Sequence, residues 1–287
     1  MELIVVDDGS TDDSQQIFNN FLSTRSDLRA RYFNKNNGGQ SSARNFGVKH
    51  CNGEYIAFID QDDEWYNDKL EQIVPWLGNK SIDVLYTDAD TIDSEGNVIH
   101  NGIHQKLFAG WPHPKKAIED ILFKDIFVMP GLMIIKKEAL EKVGGFDENL
   151  SGYEDDDLFL RLFEKSRIFY LPMPTLRWRM HGNNYSFSYR MLTSRSYYWK
   201  KLLKNYTDGG ANKVRERMIS FRFFWQFILQ ALYQYDAGND LYGRSIDGAR
   251  EILPHLPKPQ RFLLGFIFRL PLKHRMLTLA LARKALR

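Results

Sequence analysis

The chain has 287 residues, 43% of them hydrophobic and 26% charged, the ordinary balance of a globular protein able to bury a sizeable core. A net charge of +3, from 39 Lys and Arg against 36 Asp and Glu, is too small to point to nucleic acid, and no helix-turn-helix, zinc-finger or RNP pattern accompanies it. The single cysteine, Cys51, excludes an internal disulfide, leaves no Cys/His metal cluster and fits a reducing cytoplasm.

No signal peptide precedes the first strand, and no apolar run reaches the roughly 18 residues of a membrane span. The nearest candidate, Phe262 to Leu272, is broken by Arg269 and Pro271. Leu3-Ile4-Val5-Val6 reads as a buried strand that runs into Asp7-Asp8-Gly9-Ser10-Thr11-Asp12-Asp13. Ser10 or Thr11 can cap a helix whose apolar stripe is Ile17, Phe18, Phe21 and Leu22. Asp7 and Asp8 can accept hydrogen bonds from a uracil imide or a ribose hydroxyl, and a plain strand-to-helix turn with acidic caps is the alternative. Arg31-Tyr32-Phe33 is a second short strand, followed by Asn36-Asn37-Gly38-Gly39 and a helix capped by Ser41 or Ser42 and running to Lys49. The glycine pair is neither a dinucleotide fingerprint nor a Walker loop. It still lets backbone approach a phosphate, with Arg44 either reaching a ligand or sitting on the surface.

Tyr55 to Ile59 is β-branched and aromatic-rich, a buried-strand signature, and ends in Asp60-Gln61-Asp62-Asp63-Glu64. The carboxyl ends of strands are where open α/β sheets bind ligands. Carboxylates this close repel unless a proton or cation neutralises them, and hard oxygen donors suit Mg²⁺ or Mn²⁺. A solvated acidic turn is the competing reading. A helix from Asp68 to Leu77 would bury Leu70, Ile73, Val74 and Leu77, and Val84-Leu85-Tyr86 is the next strand. Ile92 to Ile99 reads as a hairpin turning at Glu95-Gly96. This alternation predicts an α/β fold, a mostly parallel sheet flanked by helices.

Phe108 to Met129 is irregular, with a short helix near Lys116 to Phe123. Leu132 to Ile135 is a strand, and Lys137 to Val143 is a helix closed by Gly144-Gly145. A second acid cluster, Glu154-Asp155-Asp156-Asp157, opens a helix with Leu158, Phe159 and Leu162 on its apolar face. The helix dipole favours each acid there by about 0.3–1 kcal/mol and should keep a carboxylate ionised, available as a general base. Ile168 to Leu171 and Leu176 to Met180 are strands, the second leading into His181, which reads equally as structural or as a ligand. Helical periodicity then takes over, near Thr193 to Lys204, Lys213 to Tyr235 and Ser245 to Ile252. After Glu251 there is no acid, while Lys258, Arg261, Arg269, Lys273, Arg275, Arg283, Lys284 and Arg287 alternate with Phe, Leu and Ile. Such a tail suits an anionic membrane surface, or packs as an ordinary helical subdomain with its basic face in water.

Taken together, Val5 to Asp12, Asn37 to Gly47, Phe58 to Asp63, Gly144 to Glu148, Glu154 to Leu158 and Arg179-Met180-His181 resemble the inverting family 2 glycosyltransferases of the GT-A fold. The resemblance covers residues 1 to about 190 and implies a nucleotide-sugar-binding catalytic domain there, with residues 191–287 a helical, basic C-terminal region outside it. It implies that Asp7 and Asp8 contact the nucleotide, that Arg44 and Glu154 lie by the donor, and that Asp60 and Asp62 form the Asp-X-Asp pair. Asp60 would face the ribose, Asp62 the divalent metal, Asp155 would be the catalytic base, and His181 would contact the diphosphate or metal. The implied reaction moves one sugar from a nucleoside-diphosphate sugar, UDP by the family's habit, to a saccharide or lipid-linked acceptor during surface polysaccharide synthesis. The implied location is the cytoplasm, peripheral at the membrane.

Family members begin with a further strand and helix, and this chain starts at what would be the second strand. A truncated gene product, a misassigned Met1 or another segment filling the gap are the alternatives, and a missing strand would leave an unpaired sheet edge and a thinner nucleotide pocket. Arg177-Trp178 lacks the Gln of the processive Gln-x-x-Arg-Trp motif, favouring single transfer. A nucleotidyltransferase, and a non-catalytic carbohydrate- or membrane-binding remnant, are the alternatives.

Overall fold

The computed structural model describes residues 1–287 apart from 26, 79–81, 108–112, 125, 181–188 and 286–287. It divides into two compact units: residues 1–121 with 125–184, and residues 122–124 with 185–287.

In the first unit, β1 (Leu3–Asp7) pairs in parallel with β2 (Ala30–Asn34), Leu3 opposite Ala30 and Asp7 opposite Asn34, with α1 (Ser14–Ser23) as the crossover. Helix α2 (Gln40–His50) leads to β3 (Tyr55–Ala57), a tight turn, β4 (Glu64–Trp65) and α3 (Lys69–Leu77). Then follow β5 (Val84–Ile92), β6 (Val98–His100), α4 (Glu119–Leu122), β7 (Met133–Lys136), α5 (Lys137–Lys142), α6 (Glu154–Lys165) and β8 (Ile168–Arg179). The main sheet has the order β3-β7-β5-β8-β4, with β6 added to the end of β5. All nine residues of β5 are buried, so this apolar central strand organises the layer. Ile73, Ile82, Leu85 and Ile134 pack below it with Tyr55 and Phe169, while Ala89, Ile103, Leu132 and Leu176 pack with Trp65 and Met129.

The α/β architecture and the helical C-terminal region are as expected, but the sheet is mixed rather than mostly parallel. Parallel ladders join β1 to β2 and β5 to β8, whereas β3/β7, β5/β7, β5/β6 and β4/β8 are antiparallel. The reason is topological. Strand–helix alternation holds only up to β5, and β7 arrives from an irregular stretch that imposes no parallel crossover. The strand read over Tyr55 to Ile59 stops at Ala57, and Ile59 is exposed, because the amide of Asp63 donates to the carbonyl of Asp60 at 3.2 Å and closes a turn. Two expected strands are one: Pro172 and Pro174, which lack amide donors, sit inside β8 at a shift in its register with β5. Leu3 to Val6 are only half-buried, since β1 is paired on one side among the described residues and Ile17 and Phe21 of α1 face solvent. Val74 of α3 is likewise exposed; Lys69 and Ile73 are the buried residues.

The second unit contains α7 (Tyr189–Tyr206), α8 (Lys213–Asp236), α9 (Tyr242–Ile252), α10 (Lys258–Ile267) and α11 (Leu272–Ala285). Its core is aromatic, with Tyr198, Trp199, Phe223, Phe224 and Phe227 buried, and Gly248 of α9 lies flat against the Phe227 ring. Arg195 is buried there on the Gln230 side-chain oxygen at 2.5 Å. Among the described residues no helix is long and apolar enough to cross a membrane.

Candidate active site

The amino-terminal half of α2 is the place where the predicted residues meet. Gly39 precedes it with φ +85°, a left-handed conformation that glycine adopts without a Cβ penalty. This bend turns the amides of Gly38 and Gly39 onto the Asp8 carboxylate at 2.7–3.1 Å, and Lys35 Nζ reaches the same group at 2.6 Å. Asp7, beside it, is filled by the chain's own donors: the amide of Ser10 at 2.7 Å, Asn34 Nδ2 at 3.0 Å and the Tyr32 hydroxyl. Those bonds, Tyr32 first, hold Asp7 well below the usual carboxylate range, while burial and then Asp7 push the Tyr32 phenol up to about 12. Both acids therefore shape the β1–α1 turn and the glycine loop.

Arg44, one turn into α2, is the hub. Its Nη2 donates to both oxygens of Asp60 at 2.7 and 2.9 Å, and its Nη1 donates to Glu154 Oε1 at 2.8 Å. Burial works against the charge of Arg44, but Asp60 and Glu154 outweigh it, and its guanidinium sits 5.3 Å from the centre of the Phe146 ring. Gln40 Nε2 adds a second bond to Glu154 at 2.5 Å. The alternative of a surface arginine is thereby excluded: the side chain is 10% exposed, against 6% for Glu154 and 38% for Asp60.

Asn45, without a predicted role, and Ser41, expected as the cap of α2 but lying in its first turn behind Gly39, complete the clasp. Asn45 exchanges hydrogen bonds with the backbone of Phe146, both at 2.9 Å, and Ser41 Oγ donates to the carbonyl of Leu150 at 2.9 Å. Gly145 has φ +69°, and a Cβ there would fall 2.6 Å from Asn45 Oδ1. The signal available in sequence was the polar face of α2, Gln40, Ser41, Arg44 and Asn45, which an ordinary surface helix would share.

The four acids that open α6 are divided among tasks. Glu154 faces Arg44, and Asp157 takes Arg161 Nε at 2.9 Å and Nη2 at 2.7 Å. Asp155 is different. Burial, then Glu154 and Asp156, raise it well above the ordinary carboxylate range, against the pull of the Asp156 amide and Arg44. The helix dipole, which favours the ionised form by about 0.3–1 kcal/mol, is thus opposed by desolvation and two neighbouring acids.

The turn from Asp60 to Asp63 is tied to the end of β8. The Arg179 amide donates to Asp63 Oδ1 at 3.0 Å and Arg179 Nε donates to the carbonyl of Asp62 at 3.0 Å. Burial, reinforced by Asp60 and Asp62, pushes Asp63 up to about 7. Close by, Lys69 is 1% exposed, with Nζ on the Gly131 carbonyl at 2.6 Å and 4.6 Å from the Trp65 ring centre. Burial lowers its pKa to about 7, with Asp63 opposing. His181 lies outside the described residues.

Comparison with known proteins decides the family. Residues 1–144 match the model of glycosyl transferase family 2. The chain belongs to this family. Residues 123–181 also match the N-terminal domain of galactosyltransferase. This family 2 chain is 31% identical over 189 residues to an uncharacterized glycosyltransferase of Rickettsia felis, covering 65% of the chain and 29% of that protein. It is 29% identical over 188 residues to the chondroitin synthase of Escherichia coli, covering 65% of the chain and 26% of the synthase. The chain thus spans less than a third of the length of these two relatives. By structure it is similar to residues 1–349 of S. aureus TarS in complex with UDP-GlcNAc, with a TM-score of 0.64 at 18% identity over 90% of the chain and 73% of TarS 1–349. It is also similar to the mannosyltransferase PcManGT of Pyrobaculum calidifontis in complex with GDP-Man and Mn²⁺, with a TM-score of 0.57 at 17% identity over 98% of the chain and 76% of PcManGT. At these identities the likeness is one of fold, the GT-A fold.

Among the described residues no three His, Cys, Asp or Glu side chains form a closed metal cage. The carboxylates of the turn are the donor type that a hard cation such as Mg²⁺ or Mn²⁺ takes, one or two of them together with substrate phosphates. Asp60 is engaged by Arg44, and Asp63 is raised by burial first, with the charges of Asp60 and Asp62 adding to it.

Proposed function

We propose that this chain is an inverting glycosyltransferase that moves one sugar from a nucleoside-diphosphate sugar, UDP-linked, to a saccharide or lipid-linked acceptor in surface polysaccharide synthesis. The observation that carries the proposal is the bridge through Arg44, which joins Asp60 of the first acid cluster to Glu154, the immediate neighbour of Asp155 in the second. A base and a donor-binding turn are thereby held together by one buried cation.

Asp155 takes the proton of the acceptor hydroxyl as that oxygen bonds to the anomeric carbon. The bond from that carbon to the diphosphate oxygen breaks, and its electron pair leaves with the nucleoside diphosphate. A carboxylate whose proton affinity is raised is a stronger base, once ionised, than an ordinary one. With one base and no second carboxylate acting as nucleophile, the product is inverted, by analogy with the carboxylate placement of glycosidases. Asp60 faces the ribose, Arg44 and Glu154 flank the donor, and Asp7 and Asp8 shape the nucleoside end through the Gly38–Gly39 loop. Asp62 of the Asp-X-Asp pair, with His181, would hold the divalent cation, Mn²⁺ or Mg²⁺. When bound, that ion supplies Lewis-acid neutralisation of the leaving diphosphate.

The UDP-GlcNAc bound to TarS, and the GDP-Man and Mn²⁺ bound to the mannosyltransferase, support a nucleotide-sugar donor and a metal. We assign donor binding and chemistry to residues 1–190 in the cytoplasm, and a peripheral contact with the inner membrane face to residues 191–287. The test is release of nucleoside diphosphate from a panel of nucleotide sugars with Mn²⁺ and saccharide acceptors. Asp155→Asn should lower turnover about 10²–10⁴-fold while a thermal shift with UDP is retained. Turnover unchanged in that variant overturns the assignment.

A further inference from the structure

The apolar side chains of α10 divide into two sets. Leu264 and Ile267, with Phe268 just beyond, are buried, whereas Phe262 is 85% exposed, Leu263 59% and Phe266 61%. Three large apolar groups within one and a half turns, turned to water, form the kind of patch that marks an interaction surface. Around them stand the exposed side chains of Lys258, Arg261, Arg269 and Lys273. Charge is arranged differently earlier in the same unit. There Lys213 pairs with Glu216 at 2.7 Å, Arg250 with Asp247 at 3.1 Å and Lys200 with Glu251 at 2.6 Å. From Ile252 to Arg287 the sequence offers no acid at all; Glu216 reaches His255 at 2.9 Å, but among the described residues no ion pair joins a carboxylate to Lys258, Arg261, Arg269 or Lys273.

We infer that the Phe262-Leu263-Phe266 face of α10 inserts into the interfacial layer of an anionic phospholipid bilayer, with Lys258, Arg261, Arg269 and Lys273 at the headgroups. Protruding phenylalanines flanked by cations that make no ion pair among the described residues match the acyl–headgroup boundary, where apolar rings are buried and long basic chains reach back to phosphate. A second copy of the chain would repel through the same uncompensated charge. The inference rests on the reading of residues 191–287 as the membrane side and names the helix face and lipid class.

The test is cosedimentation of the full chain with vesicles of phosphatidylcholine, or of phosphatidylcholine with about 30% phosphatidylglycerol, each basic residue near the anionic surface strengthening binding about fivefold. The full chain should bind anionic vesicles at least about tenfold more tightly than neutral ones, with the preference lost when salt rises from about 0.05 to about 0.5 M. Phe262→Ser/Phe266→Ser should weaken binding about tenfold or more. Both rings are exposed, so helicity by circular dichroism should be unchanged. No preference for anionic vesicles, or full binding by the double variant, overturns the inference. So does a change of oligomeric state in that variant without any vesicle binding. Nucleotide-sugar turnover with a soluble acceptor, measured without vesicles, should be the same in both proteins, which separates this test from that of the enzymatic reading.

Discussion

Removing Arg44 is the sharpest perturbation of the site. Arg44→Ala deletes two interactions of unequal weight. The pair with Asp60, which is 38% exposed, is screened and contributes about 0–1 kcal/mol. Glu154 is 6% exposed and would be left as a buried carboxylate with Gln40 Nε2 as its remaining side-chain partner among the described residues, at a cost of about 3–5 kcal/mol. The expected loss is therefore about 3–5 kcal/mol, or about 6–20 °C in Tm for a domain of this size. Urea unfolding at pH near 7 of four proteins measures it: the parent, Arg44→Ala, Glu154→Gln and the double variant. Neutralising Glu154 removes the stranded charge, so the double variant should recover much of the loss and the cycle should show strong coupling. Glu154→Gln should also lower the Asp155 pKa, since Glu154 is one of the groups that raise it, and the acidic limb of the pH–rate profile should move to lower pH. If Arg44→Ala costs less than about 1 kcal/mol, or the two losses simply add, the bridge does not hold the clusters together.

Asp62→Ala should abolish the extra thermal stabilisation that Mn²⁺ adds to UDP; an unchanged Mn²⁺ titration removes Asp62 from the metal. Lys69 and Asp63 give opposed pH dependences. Lys69, lowered from 10.5 to about 7, holds fewer protons folded than unfolded in that window, so its contribution to stability rises with pH there. Asp63, raised from 3.8 to about 7, holds more protons folded, so its contribution falls with pH across that lower window, and the two limbs meet near neutrality. Lys69→Met removes the upper limb, so its Tm advantage over the parent should shrink between pH about 7 and about 10; a constant difference means that Lys69 does not titrate there. Gly248→Ala would place a Cβ 2.4 Å from Phe227 Cε1 and should cost about 1–3 kcal/mol, whereas Gly243→Ala in the same helix meets nothing within 4 Å and should be neutral or stabilising by chemical denaturation.

Local pattern made some features readable and not others. The first-turn acids of α6, the helix α5 closed by Gly144-Gly145, and the hairpin of β5 and β6 are all set by neighbours within a few residues, and they stand where the sequence puts them. The mixed sheet is not of that kind, because whether β7 runs with or against β5 is decided by a connection without periodicity. Strand β8 hid behind its two prolines, and β4, two residues long, falls below any periodic signal. Arg44 illustrates the same limit at the site. Its partners lie 16 and 110 positions away, so its motif identified it as a candidate while only the folded chain turns a surface arginine into a buried bridge.

The aspartates also show why composition alone could not assign roles. Asp7 is held low by Tyr32 and Ser10, Asp60 is paired with Arg44, Asp63 is pushed to about 7, and Asp155 is raised well above the ordinary range by burial and two acids. A base must accept a proton at working pH, and the bonds that hold Asp7 ionised make it a poor acceptor. Asp63 has the proton affinity, but its oxygen is committed to the Arg179 amide and it faces a buried lysine rather than the Arg44 bridge. Asp155 alone combines a raised proton affinity with a place beside Glu154, at the junction of the two clusters. That environment, more than the count of acids, is the ground on which we propose it as the base.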